Sequence, residues 1–285
     1  MSSFSVLAAC AGGAARVPND PPDDGSSALR DIEAKLGGRL GAFAVDTATE
    51  RQLAYRPDER FAMCSTFKWV LAAAVLALVD RGALALDERV PFGSSDLLEH
   101  APATSAALGE GSMTVEDLAR AAVIVSDNTA ANLLLDKVGG PAGFTKFVRA
   151  SGDEVTRLDR AEPFLNSNDP GDPQDTTSPR AMVGLMRHLL CGEAALSPES
   201  RERLLQWLVA CETGNNRLRA GFPPDWRVGD KTGSCGRNAV NDVAIATPPG
   251  RAPIPVAVYL SGSSAEFSAL EAAHADVARL VARRL

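Results

Sequence analysis

Histidine is scarce in this sequence, with three residues in 285. His100, His188 and His274 stand far apart and show no metal-ligand spacing, which argues against a zinc hydrolase. No serine sits in a Gly-x-Ser-x-Gly elbow, so a histidine-activated hydrolase of that kind has no support. Lysine is scarce too: Lys35, Lys68, Lys137, Lys146 and Lys231 are the only five, and arginine carries nearly all the other positive charge. The net charge is −7 and no Lys/Arg-rich run appears, which argues against a nucleic-acid partner. No apolar run approaches the roughly 20 residues needed to cross a bilayer. Catalysis here would have to run without a metal and without histidine as its base.

What is present is ordinary for a globular chain, at 45% hydrophobic and 23% charged residues. The length suits one large or two modest domains. The most informative stretch is Phe61 to Val79, and within it Ser65 and Lys68. Trp69 to Val79 is apolar on every side, so it reads as a helix buried inside a domain. Ser65 and Lys68 lie three apart at its start, which puts both side chains on one face, near the positive end of the helix dipole. A serine hydroxyl needs a base to become a nucleophile, and a lysine in an apolar, charge-crowded site can have its pKa lowered enough to serve. Ser-x-x-Lys alone is a weak signal, because only two positions are fixed. The flanking Phe67 and Trp69 strengthen it, since a buried lysine is seldom left without a partner.

Met1 to Cys10 resembles the end of an export signal, and Leu7-Ala8-Ala9-Cys10 a lipoprotein cleavage box that would place a lipid on Cys10; a frayed terminus is the alternative. Ala11 to Ser26, rich in Gly, Ala, Pro and Asp, reads as a flexible tether. Ser27 is expected to cap a helix ending at Gly37-Gly38. Two strands follow, Leu40 to Thr47 and Gln52 to Tyr55, as a hairpin. From Pro57 to about Ala210 the pattern is mostly helical: the central helix, then Thr114–Val125, Thr129–Val138, Gly143–Ala150, Pro179–Leu190 and Pro198–Ala210. A polar, proline-rich loop, 159–179, interrupts it, and loops of that length in a compact domain are usually functional. Strands return at Arg227–Thr232, Val240–Thr247 and Ile254–Ser261, before an amphipathic helix from about Ala265 to Arg284. Strands at both ends with helices between predict an α/β (α+β) fold: a discontinuous antiparallel-sheet domain, 27–56 with 211–285, and an inserted all-α domain, 57–210. Residues 1–26 are the signal remnant and tether, and the cleft between the domains is the expected ligand site.

Three further motifs carry chemistry. Ser126-Asp127-Asn128 follows a helix and alone reads as a turn with an N-cap. Lys231-Thr232-Gly233 lies on a returning strand, where a lysine beside a glycine that bares the backbone suits an anionic ligand. Glu162-Pro163-Phe164-Leu165-Asn166 sits in the long loop, where Glu162 alone would be one more solvated carboxylate. Ser-x-x-Lys, Ser-Asp-Asn and Lys-Thr-Gly in this order form the signature of class A β-lactamases and penicillin-binding proteins. From Ser27 to Leu285 the sequence closely resembles a class A serine β-lactamase.

The resemblance implies a role for each residue. Ser65 would be the acylated nucleophile, with Lys68 and Glu162 sharing its activation. The backbone N–H groups of Ser65 and Ser234 would form the oxyanion hole. Ser126 would protonate the departing ring nitrogen, helped by the charge of Lys231, and Asn128 would bind the substrate's side-chain amide. Thr232, Ser234 and Arg217 would hold its carboxylate. Glu162 and Asn166 would deliver the hydrolytic water, the feature that separates a turning-over enzyme from a penicillin-binding carboxypeptidase or β-lactam sensor domain. Arg160 and Asp175 would close the loop as an ion pair, and Glu162-Pro163 would be cis.

Of the five cysteines, Cys64 adjoins the nucleophile and Cys235 lies four residues past Lys231. The family layout brings these segments together, so the resemblance implies a Cys64–Cys235 disulfide in an exported protein; two small buried thiols are the alternative. Cys191 and Cys211 are expected to stay unpaired, at opposite ends of antiparallel helices. A disulfide at this pair resembles the carbapenem-hydrolysing subgroup, as does His100 at the cleft mouth. The resulting expectation is a monomeric, cofactor-free, metal-free bacterial hydrolase of β-lactams, periplasmic or secreted, with a small-molecule substrate.

Overall fold

The computed structural model describes residue 1 and residues 25–192, 195–236 and 238–285. Cys10 and nearly all of the expected leader and tether lie outside the described residues. Among the described residues nine strands appear in chain order: β1 (Arg39–Val45), β2 (Gln52–Tyr55), β3 (Phe61–Ala62), β4 (Arg89–Pro91), β5 (Ser112–Thr114), β6 (Thr176–Thr177), β7 (Arg227–Cys235), β8 (Ala239–Thr247) and β9 (Ile254–Ser261). The α-helices are α1 (Ser26–Leu36), α2 (Phe67–Asp80), α3 (Pro102–Ala106), α4 (Val115–Ile124), α5 (Asn128–Lys137), α6 (Gly140–Ala150), α7 (Pro179–Met186), α8 (Pro198–Val209), α9 (Leu218–Gly221) and α10 (Phe267–Arg284).

The main sheet has five antiparallel strands in the order β2-β1-β9-β8-β7. Two come from near the start of the chain and three from near its end, so the sheet closes only when both ends meet. Helices cover it on both faces. Leu40, Ala42, Ala44, Val256 and Val258 join an apolar core with α1 and α10, while Phe43, Val45, Val243, Ile245 and Tyr259 join a second core with α2, α4, α5, α7 and α8. Strands covered on both sides lose the polar alternation of a half-exposed sheet, and β8 is buried at eight of its nine residues.

Local sequence sets several helix starts. Thr114, Asp127, Ser178 and Ser197 each accept a backbone N–H from the first turn of the helix that follows, and Pro179 and Pro198 occupy the first helical position. Helix α2 is buried from Phe67 to Ala77 without a break, as a sequence apolar everywhere but Lys68 requires. The α10 stripe of Leu270, Ala273, Val277, Leu280 and Val281 is buried against the sheet.

Some boundaries differ from the sequence reading. Helix α1 starts at Ser26 rather than after a cap at Ser27, and ends at Gly37, whose φ of 65° is the left-handed backbone glycine tolerates. Strand β7 runs to Cys235 instead of stopping at Thr232, because β8 supplies ladder partners as far as Cys235↔Ala239. The helix after Pro179 gives way to a π turn at Arg187–Cys191. The two-residue pair β3–β6 and the three-residue pair β4–β5 are too short to leave a periodic signal. Among the described residues no helix is long and apolar enough to cross a membrane.

Candidate active site

Ser65 lies in a 3-10 turn, Cys64–Thr66, immediately before α2, not inside the helix itself. Three contacts pin that turn. The Asn241 side-chain amide donates to the carbonyls of Ala62 (3.0 Å) and Met63 (3.3 Å). The Thr66 hydroxyl donates to Met63 O at 2.8 Å. Cys64 and Cys235 form a disulfide with Cα atoms 5.7 Å apart, within the usual range for a bridge. Strand β7 passes close by: a Cβ on Gly233 would lie 2.7 Å from Met63 O and 2.9 Å from Thr66 N, so this approach needs glycine. Cys64 (φ 45°), His100 (φ 55°) and Ser126 (φ 59°) are non-glycine residues in the left-handed region, a strained backbone that surrounding packing must hold.

Lys68, fully buried in the first turn of α2, organises the site. Its Nζ lies 3.1 Å from Glu162 Oε1, donates to Ser126 O at 2.8 Å and to Asn128 Oδ1, and stands 3.4 Å from Ser126 Oγ. Lys231, equally buried on β7, donates to Ser126 Oγ at 3.1 Å and to Thr232 O at 3.0 Å. One serine hydroxyl thus stands between two ammonium groups. Burial pushes Lys68 down to about 8; the Lys231 charge adds to this, while the Glu162 carboxylate pulls the other way. Burial also lowers Lys231, with the Arg217 charge acting in the same direction.

Asp127, between Ser126 and Asn128, is structural. Its buried carboxylate caps α5 at Ala130 N (2.8 Å) and accepts the backbone N–H groups of Ala103 and Thr104 (both 3.0 Å). Asn128 anchors its Nδ2 on Glu99 O at 2.9 Å. His100 is exposed, with its ring Nε2 3.0 Å from Val125 O, just before the Ser126 turn.

The loop 159–179 folds over this arrangement. Glu162-Pro163 is cis. Arg160 donates to Asp175 (2.5 Å) and Asp172 (3.0 Å), and Asp175 also takes the backbone N–H groups of Asp159 and Arg160. The Glu162 side chain is turned inward and buried, and Asn166 Nδ2 donates to its Oε2 at 2.6 Å. The other carboxylate oxygen, Glu162 Oε1, faces the Lys68 ammonium but accepts no hydrogen bond from the described residues, nor does the buried Asn166 Oδ1.

At the start of α9, the Arg217 guanidinium is buried and donates to Asn241 O (2.7 Å), Gly233 O (3.2 Å) and Ser234 Oγ (2.8 Å). Its Nε stands 3.5 Å from Glu271 Oε1. The structure therefore gathers Ser126, Asn128, Glu162 and Lys231 around Lys68 and Arg217 under Ser234, from segments far apart in sequence.

Two residues with no motif around them matter as much. Asn241 holds the turn that carries Ser65. Asn132 holds the loop: its Nδ2 donates to Glu162 O (2.9 Å) and its Oδ1 accepts Glu162 N (3.0 Å). Asn132 lies four residues after Asn128 on α5, so the shared helix face was the available signal. Asn132→Ala is expected to cost about 1–3 kcal/mol in urea unfolding by orphaning buried backbone groups, and to slow turnover by loosening Glu162.

A family model described as the β-lactamase enzyme family matches residues 25–285. The chain is 46% identical to β-lactamase L2 of Stenotrophomonas maltophilia over 283 residues, covering 99% of this chain and 93% of that protein. It is also 46% identical over 250 residues to the carbapenem-hydrolysing β-lactamase KPC of Klebsiella oxytoca, covering 87% and 85%. Among solved structures, an ancestral class A β-lactamase aligns at a TM-score of 0.89 and 56% identity, covering 91% of this chain and 99% of that one. A match that runs from residue 25 to the last residue, on a fold shared with a class A structure at more than half identity, means that this chain belongs to the class A β-lactamase family.

Proposed function

We propose that the protein hydrolyses β-lactam antibiotics through an acyl-enzyme on Ser65. Ser65 Oγ attacks the lactam carbonyl, and its proton passes to the Lys68–Glu162 pair. The C–N bond of the ring breaks, and the nitrogen takes a proton from Ser126 Oγ, which stands between Lys68 and Lys231 and regains a proton from Lys68 Nζ, 3.4 Å away, so that the proton lost by Ser65 ends on the ring nitrogen. The Ser65 and Ser234 N–H groups stabilise the oxyanion. Thr232, Ser234 and Arg217 hold the substrate carboxylate, Asn128 its side-chain amide, and His100 borders the cleft mouth.

The observation that carries the reading is at Glu162. Glu162 is a buried carboxylate turned inward, ion-paired through Oε1 with Lys68 Nζ at 3.1 Å and bonded through Oε2 to Asn166, which makes it a base beside the turn that carries Ser65. A water fits that chemistry. Glu162 would take its proton as it attacks the acyl carbon, and Ser65 would leave with a proton. A protein that only holds a β-lactam as a stable ester needs no such base. Incubation with a chromogenic cephalosporin tests this: many turnovers per enzyme molecule are expected, whereas a single stoichiometric burst would mean a binding protein.

The substrate range extends to carbapenems on this reading. It is supported by the disulfide beside Ser65 and by the similarity to a carbapenem-hydrolysing relative. Steady-state hydrolysis of imipenem is the check; a rate no higher than that of an ordinary penicillinase would remove the carbapenem claim and leave the rest. The disulfide also supports export to an oxidising compartment, periplasmic or extracellular. The discontinuous sheet domain and the inserted helical domain are the frame of the site in this reading, with the cleft between them taking the substrate.

A further inference from the structure

The segment between α8 and α9 carries a short chain of hydrogen-bonding side chains that ends at the substrate cleft. Thr213 Oγ1 lies 2.5 Å from Thr232 Oγ1, and Cys211 Sγ lies 3.3 Å from the same Thr213 oxygen. Cys211 is buried, Thr213 half-buried and Thr232 5% exposed. The segment is held in place from both sides. Glu212 N donates to Ile124 O at 3.0 Å, and Gly214 packs so tightly on Asp230 that any Cβ there would collide with its carboxylate.

Each hydroxyl in the chain has one proton, so the chain has a direction. If Thr213 donates to Thr232, the Thr232 proton is free to point into the cleft and can bond a carboxylate. If Thr232 donates to Thr213, it presents only lone pairs to the cleft, and these repel an anion. The far end of the chain favours the first direction. Burial raises the Cys211 thiol above its ordinary value and keeps it an S–H; given to Thr213 Oγ1, 3.3 Å away, that proton selects the first direction.

We propose that Thr213 is a positioning residue that fixes the Thr232 hydroxyl as a donor to the carboxylate of the β-lactam, with the Cys211 thiol setting the direction of the chain. The proposal rests on the reading that Thr232 binds that carboxylate. Thr213 touches no substrate atom; it acts through Thr232, and so affects substrate affinity more than the chemical steps.

The test compares benzylpenicillin with its carboxylate methyl ester as substrates for the wild type and for Thr213→Val, Thr213→Ser and Thr232→Val. Loss of one oriented hydrogen bond is expected to raise KM for the free acid about three- to tenfold in Thr213→Val. kcat should change less than twofold and KM for the ester should not move, while Thr213→Ser should return the acid KM to within about twofold of wild type. An unchanged acid-to-ester KM ratio in Thr213→Val, with the ratio raised in Thr232→Val, overturns the positioning role and leaves the carboxylate reading standing. An unchanged ratio in Thr232→Val overturns the carboxylate reading and the proposal with it. Should Thr213→Val fold poorly, Cys211→Ala removes the thiol and leaves both hydroxyls. It is expected to raise the acid KM about twofold, and no rise there overturns the proposed direction of the chain.

Discussion

A Glu162→Ala protein is expected to take up a β-lactam and keep it. Intact-mass measurement after mixing with a chromogenic cephalosporin should show a stable adduct, mapped to Ser65, while the wild type returns to its free mass as product accumulates. The steady-state rate should fall about 10²- to 10⁴-fold, the contribution typical of a positioned general base. The reason is local. Glu162 is the carboxylate bonded to Asn166 and facing the Ser65–Lys68 turn, and an ester there persists unless a base activates water against it. A wild-type protein that itself holds a stable adduct would make this chain a binding protein. A variant that turns over at the wild-type rate would move the base elsewhere.

The same variant carries a pH signature. Lys68 sits at about 8, held up in part by the Glu162 carboxylate, which favours the ammonium. Removing the anion removes that support, so the Lys68 pKa falls further and more of it is neutral at pH 7. The acylation rate of Glu162→Ala, followed by stopped flow, is therefore expected to rise with pH through a midpoint below 8. A midpoint at or above 8 would show that the carboxylate does not set the lysine's charge state.

Breaking the disulfide is expected to have the largest effect on stability. The Cys64–Cys235 bridge closes a loop with a sequence separation of 171 residues. In the chain-entropy picture a loop of that length is worth about 5 kcal/mol, and losses of about 2–5 kcal/mol are usual on removing a native disulfide. Cys64→Ser/Cys235→Ser should therefore unfold in urea at a much lower midpoint than the oxidised wild type. Activity on a penicillin at low temperature should fall less than tenfold. The Asn241 amide, the Thr66 hydroxyl and the close packing of Gly233 all hold the Ser65 turn independently of the sulfurs. Loss of activity in a variant that is still folded would mean that the bridge positions Ser65 directly.

Local sequence was enough for the longer regular elements, though not for the short helices α3 and α9. Pro179 and Pro198 marked helix starts, the Ser126–Asn128 turn an N-cap, and the apolar run after Lys68 the buried helix. Strands β2 and β9 have the expected boundaries. These signals were readable because capping, proline geometry and periodic burial act over a few residues. The short pairs β3–β6 and β4–β5 were not readable, because their partners lie 114–116 and 21–25 residues apart and each strand is too brief to have a period.

The residue types for the chemistry were also in the sequence: Ser65, Lys68, the Ser126–Asn128 turn, Glu162 with Asn166, and Lys231 to Ser234. Their spacing along the chain assigned them as a set. What the sequence could not contain is their environment. Lys68 is brought down to about 8 by the helices and strands packed around it, and Ser126 Oγ meets Lys231 across 105 residues only because β7 closes against the helical core. Asn132, Asn241 and Thr213 carry no motif at all, and each matters through partners 19 to 179 residues away. Sequence alone determined which groups were available. Tertiary structure decided their distances, burial and hydrogen bonds, because desolvation and directional bonding exist only once distant segments pack.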